Sequence, residues 1–248
     1  MPAMRRPVLL VVAHGSRDPR HAATVHELVR RVRALRPGLR VETGFLDFNV
    51  PSVNGVLESL DAEGVRDVVA LPLLLTRAFH AKADIPAVLA EAPPRLRIRQ
   101  AEVLGPSPLL LAALERRLYE AGLTPADKSS TGVVLASAGS SDPEAIAVIA
   151  DVAREWRHTG WCAVRPAFAS ASLPRTEQAV RELRELGCAR VAVAPYVLAP
   201  GRLPDRIARG AAGADVLADV LGPAPEVAQV LLARYDAART PVLTALGA

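Results

Sequence analysis

Continuous apolar runs alternate with amphipathic segments along the chain. Residues 8–13 are all apolar and rich in β-branched side chains, which is typical of a strand buried on both faces. The following segment has apolar residues at helical spacing, and it begins with Asp18 as a predicted N-cap and Pro19 at the first helical position. The pattern therefore predicts a strand followed by a helix.

The same alternation continues through the first half and again through the second. Three further strands are predicted at residues 39–46, 67–75 and 96–104, with helices after Pro51, near residues 83–92 and through Leu110, Leu114 and Leu118. Strictly alternating strands and helices need crossover connections. The predicted fold is α/β, with a mainly parallel four-stranded sheet between two helix layers in each half.

The two halves are related as an internal repeat. Four landmarks recur in the same order: residues 11–19 match 135–143, residues 41–51 match 164–174, residues 64–75 match 187–198, and residues 103–106 match 220–223. A polar segment, residues 124–131, separates the copies and has the composition of a linker. We predict two domains, residues 1–123 and 132–248.

Composition excludes several classes of protein. Half of the 248 residues are hydrophobic and 23% are charged, as in an ordinary globular protein rather than a disordered one. The net charge is only +4 and aromatic residues make up 4%, so we expect no nucleic-acid partner. No apolar run approaches the roughly 20 residues of a membrane helix, and the two cysteines have no C-x-x-C spacing. A cytoplasmic protein with no membrane partner is predicted.

Three side chains able to bind a metal follow predicted strands of the first half: His14, Asp47 and His80. The carboxyl ends of parallel strands meet at one edge of a sheet, where ligands bind. Two imidazoles and a carboxylate suit cobalt, ferrous iron, nickel or zinc, and a neutral imidazole also accepts protons.

The repeat provides an internal control for these residues. By the same alignment, the second copy has Ala138, Ser170 and Leu203 in their places, while Gly139 and Asp142 of the scaffold are retained. One half is therefore predicted to be active and the other structural.

Other residues with reactive or metal-binding side chains have simpler structural interpretations. His21 and His26 lie about 140° apart around a helix, so they are not predicted to form a metal pair. Cys162 and Cys188 are predicted to be packing residues. Ser16 is retained as Ser140 in the second copy, which favours a role in a turn over donation to substrate.

Three segments together carry a resemblance to a known family. They are V-A-H-G-S-R at residues 12–17, F-L-D at residues 45–47 with Pro51, and P-L-L-L at residues 72–75 followed by H-A-K-A-D-I-P at residues 80–86. In this order, with a degenerate second copy, they resemble the class II, ATP-independent sirohydrochlorin chelatases in their long, two-repeat form.

The resemblance implies insertion of a divalent metal into sirohydrochlorin in sirohaem or cobalamin biosynthesis, with ferrous iron or cobalt as the metal and nickel as a further candidate. It implies an active-site cleft between two chelatase-like domains, and a metal that is substrate rather than a permanently bound cofactor. His14 and His80 match the catalytic histidines of the family. Asp47 matches its acidic residue, which is commonly Glu, so the side chain here is shorter by one methylene.

Physical roles for these residues follow from the reaction. Insertion expels two pyrrolic protons, which His14 and His80 would accept while they deliver the metal, and Asp47 would offset the cation's charge. Sirohydrochlorin carries carboxylates that basic residues near the rim would bind, namely Arg17, Arg20, Arg77 and Lys82. Asp84 would either orient His80 or cap the next helix. A monomer or weak homo-oligomer is expected.

Two rival functions stay open at this point. A phosphoryl-transfer enzyme would use His14 as a nucleophile, but Ala13 occupies the position of the arginine in an R-H-G signature. A non-catalytic carrier of tetrapyrrole or metal would use the same histidines without inserting the metal.

Overall fold

The computed structural model describes residues 6–77 and 80–239, except for the side chains of residues 80 and 81. Within this part the strands are β1 (Val8–Ala13), β2 (Val41–Phe45), β3 (Asp67–Pro72), β4 (Arg97–Gln100), β5 (Thr131–Ser137), β6 (Ala163–Phe168), β7 (Arg190–Tyr196) and β8 (Val216–Leu217). The α-helices are α1 (Pro19–Leu35), α2 (Val53–Ala62), α3 (Ile85–Ala90), α4 (Pro108–Glu120), α5 (Pro143–Arg157), α6 (Thr176–Glu185), α7 (Arg202–Gly210) and α8 (Pro225–Arg239).

The strands form two parallel four-stranded sheets of the same topology. Their orders are β2-β1-β3-β4 and β6-β5-β7-β8. Corresponding registers agree between the halves: Leu9 pairs with Val41 in the first sheet, and Val133 pairs with Val164 in the second. Helices cover both faces of each sheet, so the predicted α/β fold with two repeats is confirmed.

Several elements are shorter than the apolar pattern predicted. β3 ends at Pro72, and residues 73–76 leave the sheet and line a cavity instead. The fourth strand is a short edge strand, Arg97–Gln100, because the apolar residues after it pack outside the sheet. The segment predicted as a linker contains a 3-10 helix, Pro125–Ser130, and its Asp127 is 3.0 Å from Arg190. Thr131 already belongs to β5, and the predicted domain bounds stay a prediction.

The start of the first helix is as predicted. The side chain of Asp18 accepts a hydrogen bond from the backbone N–H of Arg20, and Pro19 occupies the first turn. Asp142 caps α5 in the same way, by accepting from the N–H of Glu144. The two copies thus keep the same turn from strand to helix at the edge where the cleft lies.

Each half contributes its last helix to the other half. Helix α4 contacts β7 of the second sheet, while α8 contacts β3 and β4 of the first sheet and packs on α1 and α4. Polar contacts fix this exchange: the hydroxyl of Tyr235 donates to the carbonyl of Pro7 at 2.7 Å, and Arg36 pairs with Asp236 at 2.7 Å. One apolar core consequently runs between the sheets. None of the described helices is long and apolar enough to cross a membrane.

Candidate functional site

A cleft of about 420 Å³ lies between the two halves, at the carboxyl ends of the inner strands. Its walls are mostly apolar, and the polar exceptions include His14, Ser16 and His21 from the first half and Ser140 and Arg202 from the second. Volumes of this order, with few polar groups, are usual for sites that bind organic ligands. The predicted cleft between the repeats is therefore present.

His14 and Asp47 are neighbours at the mouth of this cleft. His14 follows β1, Asp47 follows the adjacent strand β2, and the N–H of Asp47 donates to the carbonyl of His14 at 2.9 Å. Both side chains are exposed, and Oδ1 of Asp47 accepts from the N–H of Phe48 at 2.8 Å. Strand pairing thus brings together two of the three residues predicted to bind metal.

Gly15 makes this close approach of the two loops possible. Its φ is +94°, and a Cβ at this position would lie 1.9 Å from the carbonyl oxygen of Asp47. Gly139 repeats the geometry with φ +89° and a distance of 2.0 Å to the oxygen of Ser170. Only glycine fits either position, which is why the repeat retains both.

His80 begins a π-helical turn, His80–Asp84, that leads into α3. Its side chain lies outside the described part of the structure, so the third predicted metal ligand is not placed. Asp84 directly precedes α3, and its side chain makes no capping hydrogen bond to that helix. The orienting role of Asp84 stays a prediction. Among the described side chains, no group of three His, Cys, Asp or Glu is placed to hold a metal ion.

Phe48 is a site residue that the sequence analysis missed. Its ring lies edge-on to the ring of His14, with the centroids 6.3 Å apart, and the guanidinium of Arg17 lies 5.2 Å from its centroid. Phe48 has φ 61° and is half exposed. Ala171, its equivalent, keeps the backbone angle without the ring.

His21 is the second missed residue. It lines the cleft from the first turns of α1, its Nδ1 is buried, and that atom has no hydrogen-bond partner among the residues that the structure describes. Burial, together with the nearby His14, lowers the pKa of His21. Rejecting His21 as a partner of His26 overlooked its relation to His14. Comparison of the two copies could have identified His21, because the equivalent residue in the second half is Ala145, which lines the cleft as well.

The residues predicted to bind substrate carboxylates occupy different places. Arg17 lies beside Phe48, whereas Arg20 pairs with Asp18 at 2.6 Å and with Asp205 at 3.1 Å. Lys82 pairs with Asp142 at 2.8 Å and Glu144 at 2.7 Å, and these contacts raise the pKa of Lys82. Arg77 and Lys82 line a separate cavity of about 450 Å³. The structure therefore does not gather these four residues at one place, and it adds Arg202 at the cleft.

The described residues of the second half that match His14, Asp47 and His80 provide no comparable chemistry at the same edge. Ala138 and Leu203 line the cleft, and Ser170 donates its hydroxyl to the carbonyl of Ala138 at 2.9 Å. Ser16 and Ser140 have matching contacts, each accepting from the N–H two residues later at 3.0 Å. The turn role predicted for Ser16 agrees with this geometry.

Comparison with known proteins bears on the whole chain. The CbiX family model matches residues 8–121 and again residues 132–238. A sirohydrochlorin cobaltochelatase of Priestia megaterium is 32% identical over 207 residues, which cover 80% of this chain and 66% of the relative. A sirohydrochlorin ferrochelatase of Bacillus subtilis (strain 168) is 28% identical, covering 81% of this chain and 77% of the relative.

Solved structures share the fold. SirB from Bacillus subtilis with Fe³⁺ superposes with a TM-score of 0.81 at 24% identity, covering 95% of this chain and 96% of that one. SirB from Bacillus subtilis subspecies spizizenii in complex with cobalt gives a TM-score of 0.79, with coverage of 95% and 97%. The double-repeat architecture is therefore the same.

Proposed function

The chain belongs to the CbiX family, and on that basis we propose that it inserts a divalent metal ion into sirohydrochlorin without ATP, in sirohaem or cobalamin biosynthesis. Relatives named cobaltochelatase and ferrochelatase align along most of the chain. Ferrous iron and cobalt are the proposed metal substrates, with nickel a further candidate, and no resident cofactor is required. The predicted cytoplasmic location and the monomeric or weakly oligomeric state belong to this proposal.

The observation that carries the proposal is the position of His14 at an apolar cleft between the halves, where the second copy has Ala138. A flat macrocycle enters such a cleft with its faces against apolar side chains, while its carboxylates reach basic residues at the rim. Arg17 and Arg202 are exposed on opposite halves and suit this contact. Arg20, Arg77 and Lys82 would act from the rim outside the cleft.

Each step of metal insertion has a candidate residue. His14 and His80 deliver the metal and accept the two pyrrolic protons, because neutral imidazole performs both tasks near neutral pH. Asp47, adjacent to His14, offsets the charge of the cation. Ser16 holds the turn that carries His14, and Asp84 orients His80. Phe48 and His21 extend the site beyond the residues predicted from the sequence: Phe48 packs against His14, and His21 lines the same cleft from α1.

The test is an anaerobic assay of purified protein with sirohydrochlorin and ferrous or cobaltous ion, without ATP, followed by visible absorption. We expect catalytic turnover, and a loss of at least about 100-fold in the His14→Ala/His80→Ala double variant. His158→Ala, at the far end of α5, is the matched control and should retain full activity.

Two outcomes would contradict the proposal. Stoichiometric binding of the tetrapyrrole with no acceleration of insertion would identify a carrier. Phosphatase activity that His14→Ala abolishes would identify a phosphoryl-transfer enzyme.

A further inference from the structure

The two cysteines of the chain meet in the second half, at the edge of the sheet opposite the cleft. Cys162 directly precedes β6 and Cys188 lies two residues before β7, the two strands that flank β5. Their Sγ atoms are 3.7 Å apart although 26 positions separate them in sequence. This feature lies outside the site described above and takes no part in metal insertion.

Gly132 of β5 provides the space that the Cys188 side chain occupies. A Cβ at Gly132 would lie 2.8 Å from the Sγ of Cys188, closer than real contacts allow. The equivalent positions in the first half are Val8, Leu39 and Val65, three apolar side chains. The second copy therefore has a coordinated change: one side chain is absent, the Cys188 thiol occupies the space it leaves, and the Cys162 thiol lies next to Cys188.

The two thiols differ in access to solvent. Cys162 is exposed and Cys188 is buried, and burial, with the contact to Cys162, raises the pKa of the Cys188 thiol. An oxidant therefore reaches Cys162 first, and Cys188 is placed to react with the product. Exposure of one thiol next to a protected partner is the arrangement of a reactive and a resolving cysteine.

We propose that Cys162 and Cys188 form a reversible intramolecular disulfide when the protein meets a peroxide. The Cys162 thiolate attacks hydrogen peroxide and becomes a sulfenic acid, which releases one molecule of water once protons are balanced. The Cys188 sulfur then attacks the Cys162 sulfur and displaces a second water. Two thiols and one peroxide thus give one disulfide and two waters. The sulfurs must approach from 3.7 Å to the bond length of about 2.05 Å.

The experiment treats the reduced full-length protein with hydrogen peroxide, followed by alkylation of remaining thiols under denaturing conditions and intact mass spectrometry. We expect a monomer lighter by two hydrogens, carrying no alkyl group, with one tryptic species that joins the Cys162 and Cys188 peptides. Dithiothreitol should restore both thiols. A closed loop of this length should also raise the Tm by about 5 °C or more.

Single variants separate this reaction from ordinary thiol oxidation. Cys188→Ser should accumulate a sulfenic acid on Cys162 that dimedone traps, and Cys162→Ser should leave Cys188 unmodified because that thiol is buried. Gly132→Ala should slow cross-linking severalfold because its methyl group would displace the Cys188 side chain from its present position. The serine variants decide the matter if Gly132→Ala does not fold.

Two results would overturn the proposal. One is oxidised wild-type protein in which both cysteines remain open to alkylation. The other is oxidation that proceeds to a sulfinic acid on Cys162 while Cys188 stays a thiol. Either result would leave the pair as packing residues, as the sequence analysis predicted.

Discussion

Arg20 and Glu144 occupy equivalent positions in the two halves, and each forms an ion pair with the opposite half through a residue of opposite charge. Arg20 is 3.1 Å from Asp205, and Glu144 is 2.7 Å from Lys82. Asp205 and Lys82 are themselves equivalent, 123 residues apart. The same bridge thus occurs twice between the halves, with its charges exchanged.

The two bridges should influence how sirohydrochlorin enters the cleft. Arg20→Asp places three carboxylates together at one bridge, and we expect KM for sirohydrochlorin to change by a factor of a few while the Tm changes little, because exposed ion pairs contribute little to stability. Asp205→Arg combined with Arg20→Asp restores opposite charges. Steady-state kinetics at low and high salt measure the effect, which salt should weaken. Equal KM values in the single and double variants would show that the bridge has no role.

Replacing Phe48 should separate stability from activity. Phe48→Gly relieves a left-handed backbone conformation, so we expect the free energy of unfolding to rise by about 1 kcal/mol. The ring beside His14 is lost at the same time, and KM for sirohydrochlorin should increase. Ala171→Gly, with φ 59°, is the matched control: it should give the same gain in stability with unchanged KM. Denaturant titration and initial rates measure the two quantities, and an unchanged KM in Phe48→Gly would remove Phe48 from the site.

Gly15 and Gly139, where two loops of each half approach closely, should be irreplaceable for structural reasons. Gly15→Ala and Gly139→Ala each force a methyl group against a backbone oxygen, so both should cost about 3 kcal/mol or more in stability. Gly64→Ala, at a positive φ but in open space, should cost only about 1 kcal/mol. Chemical denaturation provides the comparison. A cost at Gly15 no greater than at Gly64 would contradict the described geometry.

The ion pair between Arg36 and Asp236 should make stability depend on acid pH. Its two hydrogen bonds of 2.7 and 2.8 Å from Arg36 lower the pKa of Asp236. Because the pKa is lower in the folded protein, the contribution is complete above the ordinary carboxyl pKa, near pH 4, and is lost as pH falls through the lowered value.

The variant Asp236→Asn tests this contribution. At pH 7 the free energy of unfolding of the variant should be lower than that of the wild type by roughly 1 kcal/mol, as expected for a partly exposed ion pair. Its Tm should be lower accordingly. The difference should shrink as the pH falls below about 4, where the Asp236 carboxylate becomes protonated first in the unfolded chain and then, at lower pH, in the folded protein. A difference in Tm that stays constant from pH 7 to pH 2.5 would assign the effect to packing instead.

The sequence predicts the fold well because buried parallel strands and amphipathic helices leave distinct patterns. Residues 8–13 and the cap at Asp18 are found as expected. The exchange of α4 and α8 was not predicted, since an apolar helix face carries no information about which sheet it will cover. The pairing of Arg20 and Lys82 with the opposite half depends on that same placement.

The candidate site was predicted in part. His14 and Asp47 were predicted from their positions at the ends of strands, and they are adjacent in the structure. Phe48 was missed because an aromatic side chain does not by itself suggest metal insertion, and His21 was missed because it was considered only as a partner of His26. The comparison of the repeats nevertheless carried the information, as both become alanine in the second half, at Ala171 and Ala145.

The exchanged helices also dictate an order of assembly during synthesis. Helix α8 follows every strand in the sequence, yet it covers β3 and β4 of the first sheet. While the chain is being made, one face of the first sheet therefore stays uncovered, exposed to solvent or to chaperones, until the second half has left the ribosome. Native docking of α8 completes the first half only after the second has been made, so a ribosome that stops between them releases a half with an unfinished core.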